Sequence, residues 1–204
     1  MKPLFLRCCA VLLSVFLVTP QAFAADADGQ IAVKGAGIAS CERFLKAREE
    51  RSQDYFMFGG WMEGFITAMN TYEEDTFDLV PWQRSDLLAA ITASYCRKNP
   101  EKTFYQALVK VANTLGPQRL DARSELILVG ENETGKGLPI YSDILMRAQN
   151  RLTDLGHDTG GADGQFGPGT KTAILAFQKE MGLKQTGLPD QPTLIKLFLQ
   201  SETD

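Results

Sequence analysis

The sequence predicts an all-α protein in which a four-helix domain, closed by one disulfide, is followed by a three-helix domain. Three observations predict this fold class. Apolar residues recur at spacings of three and four along seven segments between residues 41 and 198. Most of the glycines and prolines fall between these segments or at their ends. Of the four cysteines, only Cys41 and Cys96 lie within the helical segments.

The first 24 residues have the three parts of a secretory signal. Lys2 and Arg7 are basic, residues 8–18 are almost all apolar, and Ala22-Phe23-Ala24 has the small–x–small pattern that signal peptidase reads. The apolar run is too short for a comfortable membrane span, although an uncleaved anchor is the alternative. We therefore expect cleavage after Ala24.

Charge excludes several classes of partner. Removing the two basic residues of the signal from a chain of net charge −4 leaves −6, with one histidine and no basic run. Such a chain does not resemble a nucleic-acid-binding protein or one held on anionic lipid. No second apolar segment reaches membrane length. We expect no membrane span after cleavage, and a periplasmic, wall-associated protein.

The two remaining cysteines predict a disulfide. An even count in an oxidising compartment favours a Cys41–Cys96 bridge. The alternatives are a reactive thiol or a metal pair, but His157 is the one histidine available, and zinc sites need three or four such ligands. The sequence predicts no metal site and no cofactor.

The amino-terminal part of the mature chain predicts a leader and a domain. Residues 25–37 are small, polar and rich in glycine, which is typical of a flexible leader. Residues 38–116 hold four helical segments, the first from 41 to about 51. Ser40 precedes this segment as a plausible N-cap.

The next three segments complete this domain. The second runs from about 54 to 72, and Gly60 and Gly64 within it predict a close approach by a neighbouring helix. The third runs from about 81 to 97. Asn99-Pro100 predicts the cap and first position of the fourth helix.

The pattern changes between residues 117 and 140. The apolar run 126–129 is compatible with a short strand, and residues 130–137 are polar and rich in glycine. We interpret residues 117–140 as a linker between two domains.

Residues 141–204 return to helical spacing and predict three short helices. Residues 141–155 form the first, and Gly156 is placed to end it. A glycine-rich loop leads into a helix over residues 170–181. Asp190 is placed to cap the last helix.

The motifs in this second domain resemble the peptidoglycan-binding type 1 family. Those we assign to the fold signature are Gln149, Gly156, Asp163, Gly164, Phe166, Gly167, Thr170 and Phe177. Most serve as scaffold: Gly164 and Gly167 would adopt unusual backbone angles, the two phenylalanines would be core, and Asp163 would bond its own loop. Thr170 would cap its helix or lie in its first turn. The chain departs from the family pattern at His157, usually an aromatic residue, and at Thr186, usually aspartate.

This resemblance implies a non-catalytic module with a shallow groove for glycan strands or stem peptides. Polar side chains would line such a groove. The candidate rim residues are His157, Asp158, Gln165, Lys171 and Gln178. Taken singly, each is better explained as an ordinary solvated surface residue.

The first domain is similar to two families of small periplasmic helical proteins. Ser40-Cys41-Glu42-x-Phe44-Leu45 and the late Cys96 resemble the HdeA-type acid-stress chaperones, and Gly60-Trp61-x-x-Gly64 resembles the Rap1a/Tai-type immunity proteins. Immunity proteins of that type carry more cysteines than this chain. The resemblance implies a fold more than a function.

Three functions follow as hypotheses. The first is a non-catalytic protein that binds peptidoglycan and uses its helical domain to engage an envelope protein. The second is a periplasmic chaperone or inhibitor, and the third is an accessory or catalytic part in wall hydrolysis. One histidine, no spare cysteine and no Ser-x-x-Lys pattern argue against the third, although Glu63 lies in an apolar segment. We expect no catalytic residues.

Overall fold

The computed structural model describes residue 26 and residues 28–130 and 137–199. The predicted signal, residues 1–24, lies outside the described residues. The chain divides into two compact units, Met1–Ala32 and Val33–Asp204. Within the described residues, no helix has both the length and the apolar character needed to cross a membrane.

The described part of the second unit is mostly helical, as the sequence predicts, with one small hairpin added. Its elements are α1 (Cys41–Glu50), α2 (Gln53–Tyr72), α3 (Ser85–Lys98), α4 (Phe104–Leu115), β1 (Leu126–Val129), β2 (Leu138–Tyr141), α5 (Ser142–Asp154), α6 (Pro168–Glu180) and α7 (Gln191–Phe198). Two short 3-10 turns, Gly35–Ile38 and Gly116–Gln118, flank the first four helices.

The first core lies among α1 to α4 and is built on a disulfide and aromatic rings. Cys41 of α1 and Cys96 of α3 are bonded at 2.03 Å and fully buried, which confirms the predicted bridge. Beside it, the rings of Phe44, Phe58 and Phe104 lie with centroids 4.7 to 5.3 Å apart. Ring pairs at such distances stabilise a core beyond the area they bury.

Of the caps predicted for α1 and α4, the first is confirmed and the second is wrong. Ser40 caps α1 as predicted, because its Oγ accepts from the Arg43 N–H at 3.2 Å. Asn99 does not cap α4; its N–H donates to Cys96 O and ends α3. The cap is Thr103, which forms a reciprocal capping box with Gln106.

Helix α2 packs on one side only, and the predicted close approach at its glycines is wrong. Phe58 and Met62 are buried, whereas Phe56 is 72% exposed. A Cβ placed on Gly60 or Gly64 would meet nothing within 4 Å. These glycines face open space, since no neighbouring helix covers that side among the described residues.

The predicted flexible leader ends earlier than residue 37. Gly35–Ile38 forms a 3-10 turn in which Ala36 and Gly37 are buried. The Trp61 indole N–H donates to Lys34 O at 2.9 Å, and its ring leaves no room for a Cβ on Gly37. Contact with this tryptophan fixes the last residues of the leader.

The predicted linker contains the hairpin. Strands β1 and β2 pair antiparallel with Leu126 opposite Tyr141, so the apolar run at 126–129 is a strand. Val129 and Ile140 are buried and join the core of α5 to α7. The division of the chain at residues 116 and 140 stays a prediction, since the hairpin packs against the helices that follow it.

The two helical parts also touch directly. The ring of Trp82, in the loop before α3, lies 5.5 Å from that of Phe198 in α7. The Arg84 N–H donates to the Gln191 side-chain oxygen at 2.9 Å. Trp82 is 8% exposed and belongs to the second core, so the parts share a packed seam.

Candidate functional site

Helices α5, α6 and α7 enclose a second core whose polar members fix the loops between them. The apolar faces of the three helices meet through fully or nearly fully buried side chains: Ile144, Leu145, Ala148, Leu152, Ala173, Ile174, Phe177, Leu194 and Leu197. Gln149, Thr170, Gln178 and Thr193 are buried among them. Buried polar groups are costly unless they are hydrogen-bonded, so each of these four needs partners.

The side-chain amide of Gln149 in α5 provides hydrogen-bonding partners for the glycine-rich loop before α6. Its Oε1 accepts from the Gly164 N–H at 2.8 Å. Its Nε2 lies within hydrogen-bonding distance of Asp163 Oδ1, Gln165 O and Thr170 Oγ1, at 3.2, 2.9 and 2.9 Å. One amide therefore holds the loop and the first turn of α6 together.

Gln178 of α6 does the same for the next loop. Its Oε1 accepts from the Gly187 N–H at 2.9 Å. Its Nε2 is 2.9 Å from Thr186 Oγ1, 3.1 Å from Leu188 O and 2.8 Å from Thr193 Oγ1. This amide connects the loop to the first turn of α7.

The two arrangements are repeats of one design. In each, a threonine lies six residues after a glycine with positive φ, Gly164 at 72° and Gly187 at 67°. The residue before each glycine accepts from the glutamine and from the N–H two residues on: Asp163 in the first loop, Thr186 in the second. Thr186 is thus a structural replacement for aspartate. The shared Gly-x5-Thr spacing was the sequence signal for this repeat.

Asp163 is held as a carboxylate by its own loop. The Gln165 N–H, donated at 2.9 Å, and the Gln149 amide lower the pKa of the Asp163 carboxyl below its ordinary value. The predicted bond from this residue to its loop is confirmed. The charge is exposed, so solvent screens its energetic effect.

Glycine roles in these loops are partly as predicted. Gly164 has positive φ, and a Cβ there would lie 2.9 Å from Ser142 O. Gly167 has φ −105°, which any residue adopts, so its predicted unusual angle is wrong. The sequence reasoning missed Gly169, where a Cβ would lie 2.5 Å from Thr159 O.

The other signature residues are scaffold. Gly156, with φ 87°, follows the end of α5. Thr170 lies in the first turn of α6 and is buried, and Phe177 is 2% exposed. Phe166 is half-buried and packs against the core.

The structure divides the candidate rim residues. Asp158, Gln165 and Lys171 are exposed. The His157 side chain is 13% exposed, lies 3.2 Å from Glu180 and packs edge-on against Phe177. Gln178 is fully buried, so its predicted place on the rim is wrong.

The exposed candidate Lys171 does not form a cluster with His157. Its contacts lie in the last turns of α6, whereas Lys171 lies in the first. Lys171 and Glu180 are nine positions apart in this helix, about 14 Å along its axis. The loops that Gln149 and Gln178 fix instead meet near the start of α6, where a Cβ on Gly187 would lie 3.1 Å from Lys171 Cγ.

A separate polar cleft of about 640 Å³ lies beside α2 and the start of α3. Glu63, Asp78 and Asp86 line it, and Glu63 accepts a hydrogen bond from the Ser85 hydroxyl. Burial raises the pKa of Asp78, against hydrogen bonds that lower it. Across the described ranges, no group of three or more His, Cys, Asp or Glu side chains is placed to hold a metal ion.

Comparison with known proteins identifies the second domain. Residues 142–197 match the family model described as "Putative peptidoglycan binding domain", and this domain is a member of that family. The match spans α5 to α7 and both glutamine-fixed loops. It confirms the predicted peptidoglycan-binding domain and associates the chain with the cell wall.

Two known proteins are similar to part of this chain. N-acetylmuramoyl-L-alanine amidase CwlM of Mycobacterium tuberculosis is 42% identical over 65 residues, which cover 32% of this chain and 16% of that protein. The crystal structure of SltB3 from Pseudomonas aeruginosa, in complex with NAG-anhNAM-pentapeptide, aligns with 25% sequence identity. The alignment covers 52% of this chain and 26% of the SltB3 chain. Its TM-score of 0.28 is too low to support an argument. The chain spans less than a third of either protein.

Proposed function

We propose that this chain is a non-catalytic periplasmic protein that binds peptidoglycan, as glycan strand or stem peptide, through residues 142–197. The family match of α5 to α7 carries this proposal. The predicted signal at residues 1–24 supports export.

The loops between these helices are suited to binding a polar polymer. The buried amides of Gln149 and Gln178 fix their backbone, so little conformational entropy is lost when a ligand binds. Exposed Asp158, Gln165 and Lys171 offer hydrogen-bonding groups beside them. Rigid loops with exposed polar groups favour weak binding to repeated sites along the polymer over tight binding in a deep pocket.

We propose that the helical domain engages an envelope protein through α2. Near its start, this helix exposes two adjacent large apolar side chains, Phe56 at 72% and Met57 at 45%. Exposed apolar groups on one element favour protein contact. The same observation is compatible with a chaperone or inhibitor role, and the HdeA and Rap1a/Tai resemblances stay predictions.

The absence of catalysis is also part of the proposal. The cleft beside Glu63 holds carboxylates of the kind that glycosidases use. The exposed Glu63 is bonded to Ser85, an arrangement that an ordinary surface carboxylate also shows. Release of soluble muropeptides from sacculi by the pure protein would contradict this part.

Co-sedimentation with purified sacculi tests the binding. We expect the mature chain to sediment with sacculi and soluble muropeptides to compete. Gln165→Ala/Lys171→Ala should weaken the binding, whereas Lys110→Ala/Asn113→Ala, on the exposed face of α4, should not. Failure of the unaltered protein to sediment would overturn the proposal.

A further inference from the structure

The seam between the two helical parts contains a cleft of about 350 Å³ with apolar walls and two guanidinium groups. Its lining includes the neighbouring rings of Trp82 and Phe198, and Arg147 and Arg151 of α5. The cleft needs both parts of the chain, because Trp82 comes from the loop before α3 and Phe198 from α7.

A chain of hydrogen bonds connects Trp82 on one side of the cleft with Phe198 of α7. The Gln83 amide, 5% exposed, accepts from the Trp82 N–H at 3.3 Å and donates to Gln118 Oε1 at 3.3 Å. Gln118 Nε2 in turn lies 3.5 Å from Phe198 O. These contacts position the tryptophan wall before any ligand arrives.

Among the residues that the structure describes, no carboxylate lies against the positive charge in the cleft. Arg147 donates to two backbone oxygens, Gln118 O at 2.7 Å and Arg119 O at 3.1 Å, which fix its plane but carry no formal charge. Arg151 lies one turn further along α5 on the same cleft. Among the described residues neither forms an ion pair, and none of the residues lining the cleft is acidic.

Two guanidinium groups lie together in this cleft, although the net charge of the chain is −4. Like charges one turn apart destabilise a helix, so the pair has a cost that a bound anion would remove. A guanidinium group matches a carboxylate with two parallel hydrogen bonds, and apolar walls strengthen such a bond.

We propose that this cleft binds the carboxylate end of a peptidoglycan stem peptide. Arg151 receives the carboxylate and Arg147, already anchored, adds charge beside it. Trp82 and Phe198 pack against the small apolar side chain of the terminal residue. The inference rests on the proposed function, which says that peptidoglycan is the ligand, and adds a site outside the glutamine-fixed loops.

Tryptophan fluorescence of the full mature chain tests the site directly. The probe is diacetyl-L-Lys-D-Ala-D-Ala, titrated while the emission of Trp82 is followed in a Trp61→Phe background. The matched probe is the same peptide with a C-terminal amide, which lacks the negative charge. We expect a saturable change with the carboxylate and binding weaker by roughly tenfold or more with the amide.

Two variants separate the cleft from general charge. Arg151→Gln should weaken peptide binding by roughly tenfold or more, whereas Lys179→Gln, an equal charge change on exposed α6, should leave it unchanged. Circular dichroism and thermal unfolding establish that each variant is folded. Equal binding of acid and amide, or of Arg151→Gln and the unaltered chain, would overturn the inference.

Sedimentation with sacculi separates this inference from the proposed function. If the unaltered chain sediments but fails to bind the peptide, the stem-peptide site is wrong and the wall-binding function stands. If the unaltered chain does not sediment, the proposed function fails, whatever the peptide titration shows.

Discussion

The helical domain and the peptidoglycan-binding domain hold their cores by different means. In the first, the Cys41–Cys96 bond and packed phenylalanine rings join α1, α3 and α4. In the second, which has no cysteine, the buried amides of Gln149 and Gln178 fix two loops.

Their glycines differ in the same way. Gly60 and Gly64 of α2 face open space, whereas Gly164 and Gly187 have positive φ and leave little room for a side chain. The comparison separates stability that depends on redox state from stability that depends on a polar network. Disturbing either one should affect its own domain first.

Loss of the disulfide should have the largest single effect. In the chain-entropy model, opening a bridge with a sequence separation of 55 costs about 4 kcal/mol. We expect Cys41→Ser/Cys96→Ser to lower the free energy of unfolding of the helical domain by about that amount. Trp61 fluorescence during unfolding in denaturant measures this change. If the fluorescence of Trp82, in the second core, instead changes at a lower denaturant concentration than that of Trp61, the disulfide does not stabilise the helical domain separately from the second domain.

Replacing Gln178 should come next. Gln178→Leu leaves the Gly187 N–H and Leu188 O without this partner in a dry core, whereas the Thr193 hydroxyl keeps its hydrogen bond to Asp190. At about 1 kcal/mol or more for each stranded group, we expect a loss of roughly 3 kcal/mol in denaturant unfolding. Gln185→Ala, in the same loop but exposed, is the control and should change stability by less than about 0.5 kcal/mol. Equal effects of the two would disprove the role of the buried amide.

Glycine substitutions should have opposite signs in the two domains. Gly60→Ala/Gly64→Ala should stabilise the helical domain by about 1–2 kcal/mol, because alanine favours a helix and its methyl group meets nothing there. Gly187→Ala should destabilise the second domain by about 1–3 kcal/mol through strain at positive φ. Thermal unfolding measures both, and a loss of stability in the α2 variant would mean that α2 has a hidden neighbour.

The smallest effect should come from Asp163. Because its folded pKa is lowered, its charge stabilises the domain above the unfolded carboxyl pKa, and this contribution is lost as pH falls through the folded value. Asp163→Asn should lower the melting temperature at neutral pH and flatten the loss of stability in strong acid. An unchanged acid profile in the variant would show that other carboxyl groups set it.

Local patterns in the sequence predicted what depends on neighbours along the chain. The seven helices, the Ser40 and Asp190 caps and the strand at 126–129 follow from periodicity and capping chemistry. Asn99 misled because Asn-Pro is compatible with either a helix end or a helix start. Helix α4 begins after Thr103 instead, because Thr103 and Gln106 form reciprocal capping hydrogen bonds.

Features that depend on distant residues were not predictable. Glutamine is usually a surface residue. Gln178 is buried because Thr186 of the next loop and Thr193 of α7 supply hydrogen-bonding partners. The glycines of α2 indicate a helix contact unless one knows that no described element covers that face. The seam cleft requires Trp82 and Arg151 to meet across the fold, which no spacing in the sequence reports.

Binding to sacculi under two kinds of damage tests the central claim most directly. The mature chain is sedimented with sacculi after reduction of the disulfide, and in parallel as the Gln149→Leu/Gln178→Leu variant. The combined loss, roughly 6 kcal/mol, approaches the whole stability of a small domain. We predict that binding survives reduction and is lost in the variant. Binding that disappears on reduction and persists in the variant would contradict the assignment of peptidoglycan binding to residues 142–197.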